Sequence, residues 1–417
     1  MAELKAQEKD LIYALDIGTR SIVGVVGRPV GDRLKVLDVE MAEHGKRAMM
    51  DGQIDDIRQV GALARTVTER LESRLGVHLE RVSVAAAGRA LRTQKGSFTL
   101  ELPEEQSIDE EQISALEAGA VSAAEEELRS DGEIRRQMFL VGYTVAQYRL
   151  DNYPLSNLQY HTGRKVEADV VATFLPGEVV ESLYAAMRNA GLQVSSMTLE
   201  PIAAMNAAIP AELRLLNLAL VDIGAGTTDI ALCRDGSVVG YTMATVAGDE
   251  ITEAIMRSYL VDFKTAEEIK RCIGEADEPV RYRNILGLEE RVTAADVVQA
   301  IQDPMDKLAD AISKQILSVN STAPSAVFLA GGGSKLAGLR ERVAGKLEMD
   351  EKRVAIAGNN FALSVYSDNI ELEKPEYATP LGIAISAGLG LLNDSYVVML
   401  NGQSAKLFRN GVLTLRD

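Results

Sequence analysis

The chain has 417 residues, 47% hydrophobic and 25% charged, with a formal net charge of −17. That length exceeds what one core organises, so at least two subdomains are expected. The acidic balance excludes a broad nucleic-acid-binding or anionic-lipid-adsorbing surface, each of which needs a basic footprint. Cys233 and Cys272 are isolated and lack metal-ligand spacing, and three histidines add little, so neither a disulfide framework nor a zinc site is expected. A reducing cytoplasm fits best. The first ten residues are too charged for a signal peptide, and the longest apolar stretch, Ala378 to Leu392, reads as a buried helix because it is too short to span a bilayer.

In chain order, Leu11–Asp16 is an apolar strand that runs into Asp16-Ile17-Gly18-Thr19-Arg20-Ser21. Ser21–Arg28 and Arg33–Met41 alternate as strands about a Gly31-Asp32 turn, which predicts a three-strand meander. Ile57, Val60, Leu63, Ala64, Val67 and Leu71 have helical spacing within Ile54–Leu75, and Gly76 is a stop. A strand over Arg81–Ala87 follows. Residues 83–169 read as an insertion with its own pattern: a strand at Ser97–Leu102, an acidic helix over Asp109–Leu128 and a strand at Phe139–Leu150. Val166–Phe174, helix Gly177–Ala190 and strand Gln193–Leu199 return to the outer pattern, and a helix beginning at Pro201 puts Glu200 at its N-terminal edge.

The second half restates the first. Leu218-Ala-Leu-Val-Asp222-Ile-Gly224-Ala-Gly226-Thr227-Thr228-Asp-Ile230 is an apolar run into Asp-Ile-Gly and hydroxylated residues, a near-copy of the stretch about two hundred residues earlier. A hairpin over Ile230–Thr242 turns at Asp235-Gly236. Gly248 opens a helix with backbone donors, Thr265–Cys272 starts another with Glu267 and Lys270 on one face, and Thr293–Val319 reads as one long amphipathic helix. Val327–Ala330 then runs into Gly331-Gly332-Gly333-Ser334, with a helix after it.

Glycine permits tight turns whose N–H groups approach an anion, and Thr and Ser hydroxyls add donors, so the two Asp-Ile-Gly loops suit a phosphate chain. Asp16 and Asp222 would repel bare phosphate. They therefore imply a divalent cation between carboxylate and nucleotide, held directly or through water. Neither loop has the Gly-Lys-Ser/Thr of a Walker motif or the third glycine of a dinucleotide fingerprint. Three consecutive glycines leave one wall bare, against which a flat nucleobase could lie. Two readings of Glu200 stand: a cap at a helix N-terminus, or a residue that orients or deprotonates water for attack on a terminal phosphate. Glu267 and Lys270 are likewise either a surface ion pair or part of the cleft.

Asp-Ile-Gly-Thr at 16, Glu-Pro at 200, Asp-Ile-Gly-Ala-Gly-Thr-Thr-Asp at 222, Gly-Asp-Glu-Ile-Thr at 248, Ala-Glu-Glu-Ile-Lys at 266 and Gly-Gly-Gly-Ser at 331 together resemble the actin-like ATPase superfamily. The order matches from residue 11 to about 392, and Leu-Glu-Pro-Ile-Ala-Ala with the insertion makes the FtsA type the nearest resemblance. That implies an α/β fold of duplicated halves around a nucleotide cleft. The implied divisions are 1–82, an inserted subdomain at 83–169, 170–200, 201–247, 248–322, 323–377, a returning helix at 378–395 and a β-hairpin extension at 396–417. The resemblance implies ATP and magnesium as ligands, with Asp16 and Asp222 on the metal and Glu200 as the hydrolytic residue. Gly18, Thr19, Arg20, Gly224, Gly226, Thr227, Thr228 and Gly248 would surround the phosphates. Glu267 and Lys270 would touch ribose and base, with Gly331, Gly332, Gly333 and Ser334 beside adenosine. It further implies slow hydrolysis, self-association into filaments, and a link between FtsZ, the tubulin-like division protein, and the inner face of the membrane. A pilus-assembly adaptor resembling PilM and a small-molecule kinase on the same fold are the alternatives.

Two departures stand out. Arg20 is bulky and cationic where the family usually has a small hydroxylated residue. The tail from Tyr396 alternates around Asn401-Gly402 and Asn410-Gly411 as hairpins do, whereas FtsA-type proteins end in a basic amphipathic membrane helix. Arg353, Lys406, Arg409 and Arg416 are too scattered for a polybasic patch, so anchoring is expected from a partner or from sequence beyond Asp417, and no direct binding to anionic lipid is expected.

Overall fold

A computed structural model of the chain describes residues 11–45, 48–50, 52–86, 91–130, 138–155, 157–271 and 279–389, with the backbone of strands at 395–400, 403–408 and 413–415. Cys272, the first ten residues, Arg409, Arg416 and the turn residues Asn401, Gly402, Asn410 and Gly411 lie outside these.

Two sheets share one plan. In the first, Ile12–Ile17, Ser21–Val30 and Arg33–Glu43 form an antiparallel meander, and Arg81–Ala86 and Gln193–Leu199 then add in parallel beside Ile12–Ile17. In the second, Leu218–Ile223, Thr228–Arg234 and Ser237–Ala244 form the meander, and Ala326–Ala330 and Val354–Ile356 add in parallel. Parallel strands need a crossover, and helices supply it, so the inner strands are covered on both faces and read as unbroken apolar runs. Ile22, Val25 and Val26 are fully buried for that reason.

Capping fixes the helix Ile57–Leu75. Asp56 accepts from the N–H groups of Arg58 and Gln59, each at 3.0 Å, and Gly76 closes the end at φ 67°. Its face Val60, Ala64, Val67 and Leu71 is buried against the first sheet. Two short helices, Glu200–Ala208 and Ala378–Gly388, are instead buried almost all round and cross each other. A Cβ added at Gly382 would lie 1.7 Å from the Ala203 carbonyl oxygen, so only glycine allows this approach. The crossing sets both the first residue of one helix, Glu200, and the start of the other, Thr379, at the cleft between the sheets.

The insertion is a four-stranded sheet in the order Arg92–Ser107, Thr162–Pro176, Met138–Leu150, Tyr153–Leu155, backed by helix Glu110–Ser130. Here the structure departs from the expectation that Val166–Phe174 returns to the outer sheet. Thr162–Pro176 pairs within the inserted sheet to its last residue, past the expected edge at 169. Pro176 ends it because proline has no N–H for the ladder, and its fixed φ leads into helix Gly177–Asn189. A second correction concerns Thr293–Val319, which is two helices, Ala294–Ala300 and Gln302–Asn320, broken at Ile301. Pro304 accounts for the break: it fits the first turn of a helix but would clash with the carbonyl four residues back in a continuous one. The C-terminal strands Ser395–Leu400, Gln403–Phe408 and Leu413–Leu415 extend the first sheet through the pair Met197 and Leu413. Among the described residues, no helix is long and apolar enough to cross a membrane.

Candidate functional site

The two loops fold alike. Gly18 N–H donates to Ser21 O at 3.0 Å, and Gly224 N–H donates to Thr227 O at 2.9 Å, so each Asp-Ile-Gly strand end closes into the same tight turn. These glycines therefore shape the turns with their N–H groups. The loops also meet: a Cβ at Gly226 would lie 3.0 Å from the Thr19 hydroxyl oxygen. Gly18, Thr19 and Gly226 keep partial solvent access and Gly224 is exposed, which leaves the loop tips at the mouth of the cleft.

Behind the tips, four carboxylates converge: Asp16 and Asp222 at the strand ends, Asp229 opposite Asp222 in the ladder, and Glu200 at the start of its helix. Burial, then the neighbouring Asp222 and Asp229, raise the Asp16 carboxyl to about 7. Burial and Asp222 likewise raise Asp229 to about 7, against a hydrogen bond from Thr227. Glu200 is pushed well above its ordinary value by burial and by Asp16, Asp229 and Asp222 in turn. Burial also raises Asp222, opposed by the Thr379 hydroxyl, which donates to it at 2.6 Å. Asp16, Glu200 and Asp222 nevertheless retain partial access to solvent. A cluster of one sign in a low-dielectric cleft is poised for a cation. Among the described residues no three His, Cys, Asp or Glu side chains form a closed metal cage. Asp16 and Asp222, two carboxylates with access to solvent, match the donor set of a hydrated divalent cation, which takes one or two carboxylates beside water and phosphate oxygens.

Several residues expected at the ligand have other tasks. The Thr228 hydroxyl, fully buried, donates to Val246 O at 2.8 Å. Gly248 N–H is taken by Gly224 O at 3.1 Å and Asp249 N–H by Ala225 O at 2.8 Å, so the start of helix Gly248–Tyr259 braces the second loop and does not offer these donors. Ser334 is 1% exposed and donates to Gly331 O at 2.7 Å, holding its own turn. Gly331 has φ +73°, and a Cβ there would meet an Asp222 carboxylate oxygen at 2.3 Å, so it is glycine because the carboxylate needs the room. Gly333 packs on Ile223, whereas Gly332 borders open space. Only part of the three-glycine wall is bare.

Glu267 and Lys270 are not a solvated pair. Glu267 is 8% exposed, pairs with Lys270 and accepts from the Thr252 hydroxyl, while Lys270 Nζ donates to Thr252 Oγ1 at 2.7 Å and to Gly248 O at 3.1 Å. Burial works to raise the Glu267 carboxyl, but Lys270, Thr252 and Arg20 outweigh it and hold it below its ordinary value. Arg20 leaves its own loop and pairs with Asp249, with Glu267 at 3.5 Å and the Phe263 ring centroid at 4.5 Å. Sequence reasoning missed Asp229, Thr379 and Asp249. Asp229 stood in the quoted motif, but Thr379 carries no local signal, being brought in only by the helix crossing.

Known proteins resemble this chain in sequence and in fold. The sequence model of the family described as cell division protein FtsA matches residues 219–382, which takes in the second loop, the three glycines and Thr379. FtsA of Bacillus subtilis is 23% identical over 90% of this chain and 82% of its own length, and FtsA of Pseudomonas aeruginosa 24% over 95% and 94%. The chain is similar to the FtsA cell-division proteins. Among solved structures, a chain of the PilM-PilN type IV pilus biogenesis complex matches with TM-score 0.64 at 21% identity, covering 90% of this chain and 97% of that one. The ethanolamine utilization protein EutJ from Carboxydothermus hydrogenoformans matches at 0.52 and 18%, covering 90% and 89%. At such identities these two speak for the fold, which is that of the actin-like ATPases. Within this chain the stretch matched by the FtsA model supplies Asp222, Asp229 and Thr379, while Asp16, Arg20 and Glu200 come from outside it.

Proposed function

We propose that the chain binds ATP with magnesium between its two loops and acts in cell division as a self-associating protein of the FtsA type. In this reading it links the FtsZ ring to the inner face of the membrane, directly or through a partner. The observation that carries the nucleotide reading is the convergence of Asp16, Glu200, Asp222 and Asp229 behind two loops of the same geometry. Bound magnesium would supply the charge neutralisation that lets polyphosphate approach these carboxylates. Asp16 and Asp222 would hold it, directly or through water, with Thr379 keeping Asp222 oriented. Thr19 and Gly226 would face the phosphates, Lys270 and Glu267 would form the side wall, and the buried Thr227 hydroxyl stays on Asp229. Glu200, its carboxyl pushed well above the ordinary range by burial and by Asp16, would be the group that orients or deprotonates water for attack on a terminal phosphate.

Self-association is tested by sedimentation. The purified chain should pellet with ATP and magnesium and stay in the supernatant with EDTA. A chain that binds ATP yet never pellets would point to the nonpolymerising adaptor instead, and phosphorylation of a small-molecule hydroxyl would point to the kinase.

A further inference from the structure

The ion pairs around Arg20 connect parts of the chain that are far apart in sequence and belong to opposite halves of the cleft. Arg20 follows the first loop, on the Ile12–Ile17 side, whereas Asp249, Phe263 and Glu267 sit on helices Gly248–Tyr259 and Phe263–Arg271 of the second half. The guanidinium bonds Asp249, comes within 3.5 Å of Glu267 and lies over the Phe263 ring, and the side chains of Arg20, Asp249 and Glu267 are only 23%, 21% and 11% exposed. Its backbone is tied down too: His44 N–H donates to Arg20 O at 2.9 Å, and His44 Nε2 lies 3.2 Å from Gly18 O. A second tie runs alongside, Arg271 to Glu43 at 2.8 Å, but with side chains 55% and 48% exposed it adds little.

We propose that Arg20 is a strap across the cleft, joining the first loop to the second half and setting how readily the halves part. A planar guanidinium suits the task because it can address two carboxylates and stack on a ring at once, where a lysine ammonium would serve one partner at a time. The strap also neutralises Asp249 and Glu267. Without Arg20, Asp249 would lose its cation partner and Glu267 would keep Lys270 and Arg271, so the first loop would have no charged hold on the opposite half. The halves then open more readily, and any ligand held between them leaves faster.

The test has one arm that needs no ligand. Spin labels at Glu69→Cys and Leu286→Cys, both exposed and on opposite halves, in a background of Cys233→Ala and Cys272→Ser, report the distance across the free protein by pulsed dipolar spectroscopy. Arg20→Ala and Asp249→Ala should each broaden and lengthen the distribution, Arg20→Lys should fall between, and the exchanged pair Arg20→Glu with Asp249→Arg should return it toward the parent. The second arm rests on the nucleotide reading above: release of a fluorescent ATP analogue should be on the order of tenfold faster in Arg20→Ala. An Arg20→Ala distribution identical to the parent's would overturn the strap. A parent that binds no analogue would instead sink the nucleotide reading, and the distance arm would still decide the strap.

Discussion

Asp222→Ala is expected to weaken magnesium-dependent ATP binding by about a hundredfold, a loss of about 2.7 kcal/mol. The substitution takes away one of the two strand-end carboxylates that would hold the metal and leaves the Thr379 hydroxyl without its acceptor. The effect has a pH signature. Asp16 and Asp229 titrate near 7 in the folded chain, well above an ordinary aspartate. A carboxyl raised on folding contributes stability that is fully present below its unfolded value and is lost as pH rises through its folded value. The free chain should therefore lose stability between about pH 4 and 7. A cation among the carboxylates reverses the penalty, so the stabilisation given by magnesium and ATP should grow as pH rises from 6 to 8. Thermal melts with ligand or with EDTA from about pH 4 to 8 check both points, and a ligand-induced shift in Asp222→Ala equal to the parent's would remove Asp222 from the site.

Glu200→Gln is expected to keep ATP affinity within about threefold while slowing hydrolysis by a factor of about 10² to 10⁴, the usual contribution of a positioned general base. Glutamine preserves shape and one acceptor, so the N-terminus of helix Glu200–Ala208 should hold, but it cannot take the proton. Removing this ionisable group also removes its unfavourable burial and its repulsion with Asp16, Asp229 and Asp222, so the free variant should melt no lower than the parent. Single-turnover hydrolysis beside equilibrium binding separates the outcomes. Parallel loss of affinity and turnover would make Glu200 a structural cap and not a catalytic residue.

Much of this architecture is legible in the sequence because its signals are local. An apolar run into Asp-Ile-Gly predicts strand and turn without knowledge of the partner strand, and finding it twice predicts two similar halves. What stays hidden is set by tertiary contact. The strand Thr162–Pro176 carries the same alternation whichever sheet it joins, and only the ladder with Met138–Leu150 assigns it. The break at Ile301 was visible in Pro304 and was overridden by the amphipathic period around it. At the site, residue types pointed to the cleft but not to their tasks. Thr228, Gly248 and Ser334 are donors by chemistry, yet each meets a nearby backbone carbonyl first. Gly331 appeared as a bare wall for a base and is in fact the space required by Asp222. Arg20 departed from the family pattern, and the reason lies across the cleft in Asp249, 229 positions away in sequence.

The claim on which the rest depends is that the two Asp-Ile-Gly loops and their carboxylates hold a metal–nucleotide unit. Titration calorimetry of the parent chain with ATP at pH 8, once with magnesium and once with EDTA, tests it most directly. A one-to-one isotherm is expected with magnesium, and an at least tenfold weaker one with EDTA. Heat indistinguishable from dilution in both, or equal affinity in both, would contradict it.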